Sequence, residues 1–116
     1  MNLYHAMIEI KDGAHALAFA AATGVWMDYL QGRGLIGGWR LLRRKFGLAS
    51  GPHSDFILEV AVAGLAELDA LFSAVSGIDE AGLQAYEKMH FMIASAEVGL
   101  YRPFPDPALR ERIALV

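Results

Sequence analysis

The stretch Gly37-Gly38-Trp39-Arg40-Leu41-Leu42-Arg43-Arg44-Lys45-Phe46-Gly47 decides how the 116-residue chain is read. It holds four of the ten basic residues in one short run, between an apolar helix-like segment and a further strand-like segment. Read as a β-strand it has two faces, because successive side chains point to opposite sides of a sheet. With Trp39 and Leu41 on the dry side, Arg40, Leu42 and Arg44 share the other; a slip of one residue exchanges the two sets. The same alternation splits the cations, Arg43 and Lys45 one way and Arg40 and Arg44 the other, which argues against a continuous phosphate or nucleic-acid patch. Charges on an edge strand also discourage wrong sheet-to-sheet pairing, and that role is expected for several of them. Gly32, Gly34, Gly37 and Gly38 run from helix to strand, unlike the strand-to-helix turn of a dinucleotide site. Gly37-Gly38 reads as a bulge or a close approach.

Outward from this strand the periodicities alternate between two and 3.6. Leu3 to Ile10 is a strand with Tyr4, Ala6, Ile8 and Ile10 on a dry face and Leu3, His5, Met7 and Glu9 on a mixed one. Ala14 to Gln31 reads as a helix, with Asp12 as its N-cap and Gly24 marking a close approach to the sheet. Leu35 to Phe46 is the second strand, and Gly47 to Ser54 is turn chemistry. Asp55 to Val62 is the third strand, with Phe56, Leu58, Val60 and Val62 inward. Leu65 to Val75 is a helix with Leu65, Leu68, Phe72 and Val75 as its stripe. Ser76-Gly77 interrupts it, and Asp79 caps a second piece through about His90, on which Leu83, Tyr86 and His90 share a face. Ser95 to Arg102 is the fourth strand, stopped by Pro103 and Pro105. Asp106-Pro107 opens a short tail helix.

The order β-α-β-β-α-β is the split βαβ, or ferredoxin-like, arrangement of a single α+β domain over residues 1–116. Right-handed crossovers set the antiparallel sheet order 4-1-3-2, with the helices on one face. The other face, carrying Leu3, Met7, Ile57 and Leu42 among charges, requires a partner. Composition agrees. Hydrophobic residues make up 55% of the chain, more than so small an interior absorbs, and a homodimer is the simplest outlet. The net charge of −3 speaks against a general nucleic-acid binder. With no cysteine there is no disulfide, thiolate nucleophile or Cys-based metal site. No signal peptide or membrane span is read, so a cytoplasmic location is expected.

The element order, the length and the half-apolar open face resemble the dimeric α/β-barrel superfamily of ferredoxin-like proteins, in which two sheets pack face to face around a cavity. The Gly38-Trp-Arg-Leu-Leu-Arg-Arg-Lys-Phe46 strand and the Leu100-Tyr-Arg-Pro-Phe-Pro-Asp106 ending are similar to an uncharacterised small bacterial family within it. The superfamily includes cofactor-free monooxygenases, haem-degrading enzymes and small isomerases, so the resemblance implies a fold and an assembly rather than a reaction.

Candidate chemistry gathers on the open face. In the 4-1-3-2 order, His5 and Glu59 lie near one end of adjacent strands, with Tyr101 approaching them. Glu9, Asp55 and Ser95 or Glu97 lie near the other end. One reading makes His5 a general acid or base, Glu59 its orienting carboxylate and Tyr101 a hydrogen-bond donor. Arg40 then holds an anionic or enolate-like substrate, with Met7 and Glu97 completing the substrate-binding set. The other reading makes the same charges an interfacial ion-pair network that sets the dimer register. Four histidines are present, and His5, His15, His53 and His90 show no metal-ligand spacing, so no metal or cofactor is assigned. His15 and His53 are expected in solvent, and His90 at a cavity rim or the surface. The choice is therefore between a small dimeric barrel that binds or converts a small organic molecule without a tightly bound cofactor, and a non-catalytic dimerisation module.

Overall fold

The computed structural model describes residues 2–45 and 53–105 of the chain. Four strands and three helices follow in the order β1 (Asn2–Ile10), α1 (Ala16–Gly32), β2 (Trp39–Arg43), β3 (Phe56–Val62), α2 (Leu65–Val75), α3 (Glu80–His90) and β4 (Ile93–Tyr101). The sheet order is β2-β3-β1-β4 with every pair antiparallel. This is the ferredoxin-like order read from the sequence. Phe46, the Gly47–Pro52 part of the turn and the Asp106-Pro107 tail lie outside the described residues.

Alternation builds the helix-side core. Ala6 and Ile8 of β1 and Phe56, Leu58, Val60 and Val62 of β3 are buried there. Against them α1 packs Phe19, Ala22, Thr23, Trp26, Met27 and Leu30, spaced by three and four residues along one stripe. Phe19 is fully buried and its ring meets that of Phe56 at 5.0 Å between centroids.

Several boundaries differ from the sequence reading, each for a local reason. The N-cap of α1 is His15, without a side-chain bond, and not Asp12. Gly13 takes a positive φ of 84° in a turn closed by the Ala14 N–H on the Lys11 carbonyl, so the helix starts beyond the reach of Asp12. The ladder of β2 is confined to Trp39–Arg43. Before it, the Gly37 N–H donates to the Ala61 carbonyl and the Ala61 N–H to the Gly38 carbonyl, both at 2.8 Å. A Cβ on Gly37 would sit 3.4 Å from that Ala61 oxygen, ordinary contact, so the approach made by these two hydrogen bonds does not by itself require glycine. At Gly24 an added Cβ would meet Trp39 only at 3.9 Å, ordinary contact rather than a crowded one. On α2 the buried stripe is Leu68, Leu71 and Val75, while Leu65 is exposed and Phe72 is half exposed with its ring against Tyr4. Residues at i, i+3 and i+7 share a helix face, and Leu71 claims the core position assigned to Phe72.

Asp79 caps α3 as expected, accepting from the Gly82 N–H at 2.9 Å. It also accepts from the Tyr29 hydroxyl at 2.8 Å and forms an ion pair with Arg33, whose guanidinium lies over the Tyr29 ring. The Gly82 N–H and the Tyr29 hydroxyl hold the Asp79 carboxyl below the usual carboxylate range. A Cβ on Gly82 would meet the Tyr29 ring at 2.5 Å, so glycine lets α3 close onto α1.

Among the described residues, those of strand β4 are left uncovered by the helix layer. Its helix-side residues Ala96, Val98 and Leu100 pair with Ile8, Ala6 and Tyr4, yet Val98 remains 58% exposed.

Candidate functional site

The open face is laid out in three rows set by strand register. Leu42, Ile57, Met7 and Glu97 form one row across all four strands. Arg40, Glu59, His5 and Gly99 form the next, and Ala61, Leu3 and Tyr101 the third. Adjacent positions in a row lie within side-chain contact. The structure therefore brings the six predicted residues His5, Glu59, Tyr101, Arg40, Met7 and Glu97 onto one surface.

In the middle row the Arg40 Nε donates to Glu59 at 2.7 Å. That bond, and after it the charges of Arg40 and His5, hold the Glu59 carboxyl below its ordinary value. His5 faces Gly99 in the next strand, and the Tyr101 ring leans over that glycine to reach His5 at 5.4 Å between centroids. A Cβ on Gly99 would come within 3.1 Å of the Tyr101 ring, so this glycine makes the His5–Tyr101 contact available. The His5 Nε2 is covered and has no hydrogen bond among the described residues. At the far end, Glu9 and Asp55 share a hydrogen bond that raises the Glu9 carboxyl above its usual range. Asp55 also accepts from the Ile10 N–H at 3.3 Å and lies 3.7 Å from Arg44. Arg40 is thus already engaged by Glu59, which fits an ion pair that sets register as well as it fits a substrate clamp.

A separate volume lies on the opposite side of the sheet. A cleft of about 390 Å³ runs between the helices and strands β1 and β4, with Tyr4, Trp26, Leu71, Phe72, Tyr86, Met89, His90 and Val98 among its lining residues. Its size falls within the range of small-molecule sites. Among the described residues none that lines it is Asp, Glu, Lys or Arg. Tyr4 stands at one end and Ile8, four residues along the same strand face, at about 13 Å from it. Burial pushes the Tyr4 hydroxyl above its usual pKa, so it stays neutral.

On the α3 wall, His90 stacks on Tyr86 with centroids 3.8 Å apart, and its Nδ1 lies 2.8 Å from the Tyr86 carbonyl oxygen. Tyr86 meets Trp26 edge-on at 5.3 Å, and Trp26 stacks on Tyr29. A chain of ring contacts thus holds the imidazole at the cleft wall. A second recess, of about 440 Å³, lies over Gly34–Gly38 and Ala61–Ala63 and has Glu67 as its one ionisable neighbour among the described residues.

Sequence reasoning assigned no role in a pocket to Tyr86, Trp26, Met89 or Tyr4. The spacing of Tyr86 and His90 by one helical turn was the available signal. What it lacked was the position of α2, which decides whether that turn faces solvent or a cleft. His15 is exposed at the start of α1, and His53 lies in the turn before β3. Among the described residues no three of His, Asp and Glu gather around a common ion position.

A family model described as a family of unknown function (DUF6614) matches residues 1–116. No curated protein matches the sequence. Among solved structures, a protein from Agrobacterium tumefaciens is similar at 17% identity and a TM-score of 0.69, covering 92% of this chain and 98% of its own. SnoaB, a cofactor-independent oxygenase from Streptomyces nogalater, matches at 9% identity and a TM-score of 0.66, over 95% of this chain and 97% of its own. A dimeric ferredoxin-like protein of unknown function from Jannaschia matches at 14% identity and a TM-score of 0.62, over 89% of this chain and all of its own. At these identities the likeness shows the fold.

Proposed function

The chain belongs to that family of unknown function, and from this premise we propose that it binds a small apolar organic molecule in the helix-side cleft of each protomer of a homodimer. The observation that carries the reading is the cleft itself, about 390 Å³ of space walled by core side chains at the uncovered edge of the sheet. Apolar walls supply most of the binding free energy, at about 25 cal/mol per Å² removed from water. The few polar groups set orientation. A fold shared with a cofactor-independent oxygenase is consistent with conversion of the bound molecule, and the reading invokes no tightly bound cofactor. A dimer is supported by the dimeric neighbour and by the Leu42–Ile57–Met7 row, where Met7 and Leu42 are each 39% exposed. A cytoplasmic location fits a chain without cysteine.

The test uses N-phenyl-1-naphthylamine, a neutral apolar dye whose emission rises on leaving water. The wild type should bind it saturably, and Ala96→Trp should weaken binding at least tenfold with the circular dichroism spectrum unchanged. Ala96 is an exposed lining residue of β4, so the indole enters the cleft without displacing core. Equal binding by the variant would sink the reading.

The covered, unpartnered His5 Nε2 favours a second reading, in which two open faces enclose a site. There His5 acts as acid or base, Glu59 orients it, Tyr101 donates a hydrogen bond, and Arg40, Met7 and Glu97 contact the substrate. If instead the open face is only an interface, the Arg40–Glu59 pair serves register alone, and His5→Ala leaves ligand binding untouched.

A further inference from the structure

We infer that the helix-side cleft selects a neutral, planar aromatic molecule bearing one hydroxyl donor, a phenol or enol, and that His90 is the group that reads the hydroxyl. The inference rests on the cleft reading above and names the class of ligand for that site. It starts from one hydrogen bond. The partner of the His90 Nδ1 is a backbone carbonyl oxygen, 2.8 Å away. A carbonyl only accepts, so Nδ1 carries the proton, and in the neutral ring Nε2 is left as the acceptor. The described residues give Nε2 no hydrogen bond, and His90 lines the cleft. The ring cannot turn freely to offer its other edge, because it is stacked on Tyr86 at 3.8 Å and tethered to the same residue's carbonyl. The site therefore presents a fixed acceptor in an apolar wall. An acceptor that a bound ligand cuts off from water is costly to leave unmet, which turns its presence into discrimination for a donor and against an ether or a bare hydrocarbon.

The walls set the rest of the ligand. Trp26 and Tyr86 offer aromatic surface, and Leu71, Met89 and Val98 offer aliphatic surface. Among the described residues no cationic side chain lines the space, so a carboxylate or phosphate would give up its water without a counter-charge. The hydroxyls of Tyr4 and Tyr86 both donate and accept, and so do not impose the preference that His90 imposes.

Naphthalene, 1-naphthol, 1-methoxynaphthalene and 1-naphthoate, titrated against the full chain by calorimetry or dye displacement, separate the two layers of the argument. Naphthalene should bind measurably. 1-Naphthol should bind about tenfold tighter than 1-methoxynaphthalene, the worth of one hydrogen bond formed in an apolar site. 1-Naphthoate should bind more weakly than naphthalene. In His90→Phe the naphthol-to-methoxynaphthalene ratio should fall to about one, whatever the absolute affinities. Equal wild-type affinities for naphthol and its methyl ether, or naphthoate binding tightest, would overturn the inference while leaving the cleft reading intact. No binding of naphthalene at all would overturn the cleft reading and this inference with it.

Discussion

The two faces of one four-stranded sheet handle polarity in opposite ways. On the helix side the walls are apolar, the polar groups are two hydroxyls, one indole N–H and one imidazole, and among the described residues no charged side chain lines the cleft. On the open side an apolar row, Leu42–Ile57–Met7, runs beside a charged one, Arg40–Glu59–His5. The charged row is largely satisfied within the chain, by the 2.7 Å Arg40–Glu59 bond. In the same row the His5 Nε2 is covered and has no hydrogen bond among the described residues, whereas the His90 imidazole lines a cleft that is open to water. A surface whose charges are mostly paired is prepared for burial against another surface, whereas an apolar cleft with one fixed acceptor in its wall is prepared for a ligand. Three experiments press on this difference.

The largest effect belongs to the helix side. Phe19→Ala, which empties the fully buried contact with Phe56, should cost about 3–5 kcal/mol in urea unfolding. The matched Met7→Ala on the open face should cost under about 1 kcal/mol when measured on the monomer. Comparable losses would mean that the open face is part of the folding core. The second effect is on assembly. Met7→Asp places a charge in the apolar row between Ile57 and Glu97 and should weaken self-association about a hundredfold or more, as read by sedimentation velocity, because a desolvated unpaired carboxylate costs several kcal/mol. Dimers that persist unchanged would move the interface elsewhere.

The smallest effect tests the α1–α3 latch beside the cleft. Asp79 has a depressed carboxyl pKa, so its contribution is present above the ordinary Asp value of about 4 and is lost as pH falls through the lower, folded-state value. Asp79→Asn should therefore flatten the acid limb of the melting curve and lower the melting temperature at neutral pH. Glu9 has the opposite sign. Its raised pKa favours the folded state below the ordinary Glu value, and the advantage disappears as pH rises through the folded-state pKa. A steeper acid limb in the Asp79 variant would contradict the assignment.

Topology was legible because it follows from alternation, whereas the register of β2 was not, since a slip of one residue exchanges Arg40 with Trp39. A period of two in Leu3–Ile10 and Phe56–Val62 names the dry face, and the crossover rule then orders the strands. The open-face residues follow from the same arithmetic, since Arg40, Glu59 and His5 share a row once the register is set. The cleft was not legible. It depends on how far the helix layer extends over β4, and nothing in the alternation of Ala96, Val98 and Leu100 tells a covered dry face from an uncovered one. The position of α2 was also misread at Phe72. A stripe chosen from residue size put the larger ring inward, while the helix turns Leu71 to the core and leaves Phe72 edge-on against Tyr4 at 6.1 Å. The role of His90 required a three-dimensional fact, the tether to the Tyr86 carbonyl.

Methyl-resolved NMR during a titration with naphthalene tests the central claim most directly, because both faces carry methyl reporters. Ligand in the helix-side cleft predicts progressive shifts at Met27, Leu71, Met89, Ile93 and Val98, with Met7, Leu42 and Ile57 unmoved. Shifts at Met7, Leu42 and Ile57 with the cleft methyls silent would contradict the account and place the site between two open faces.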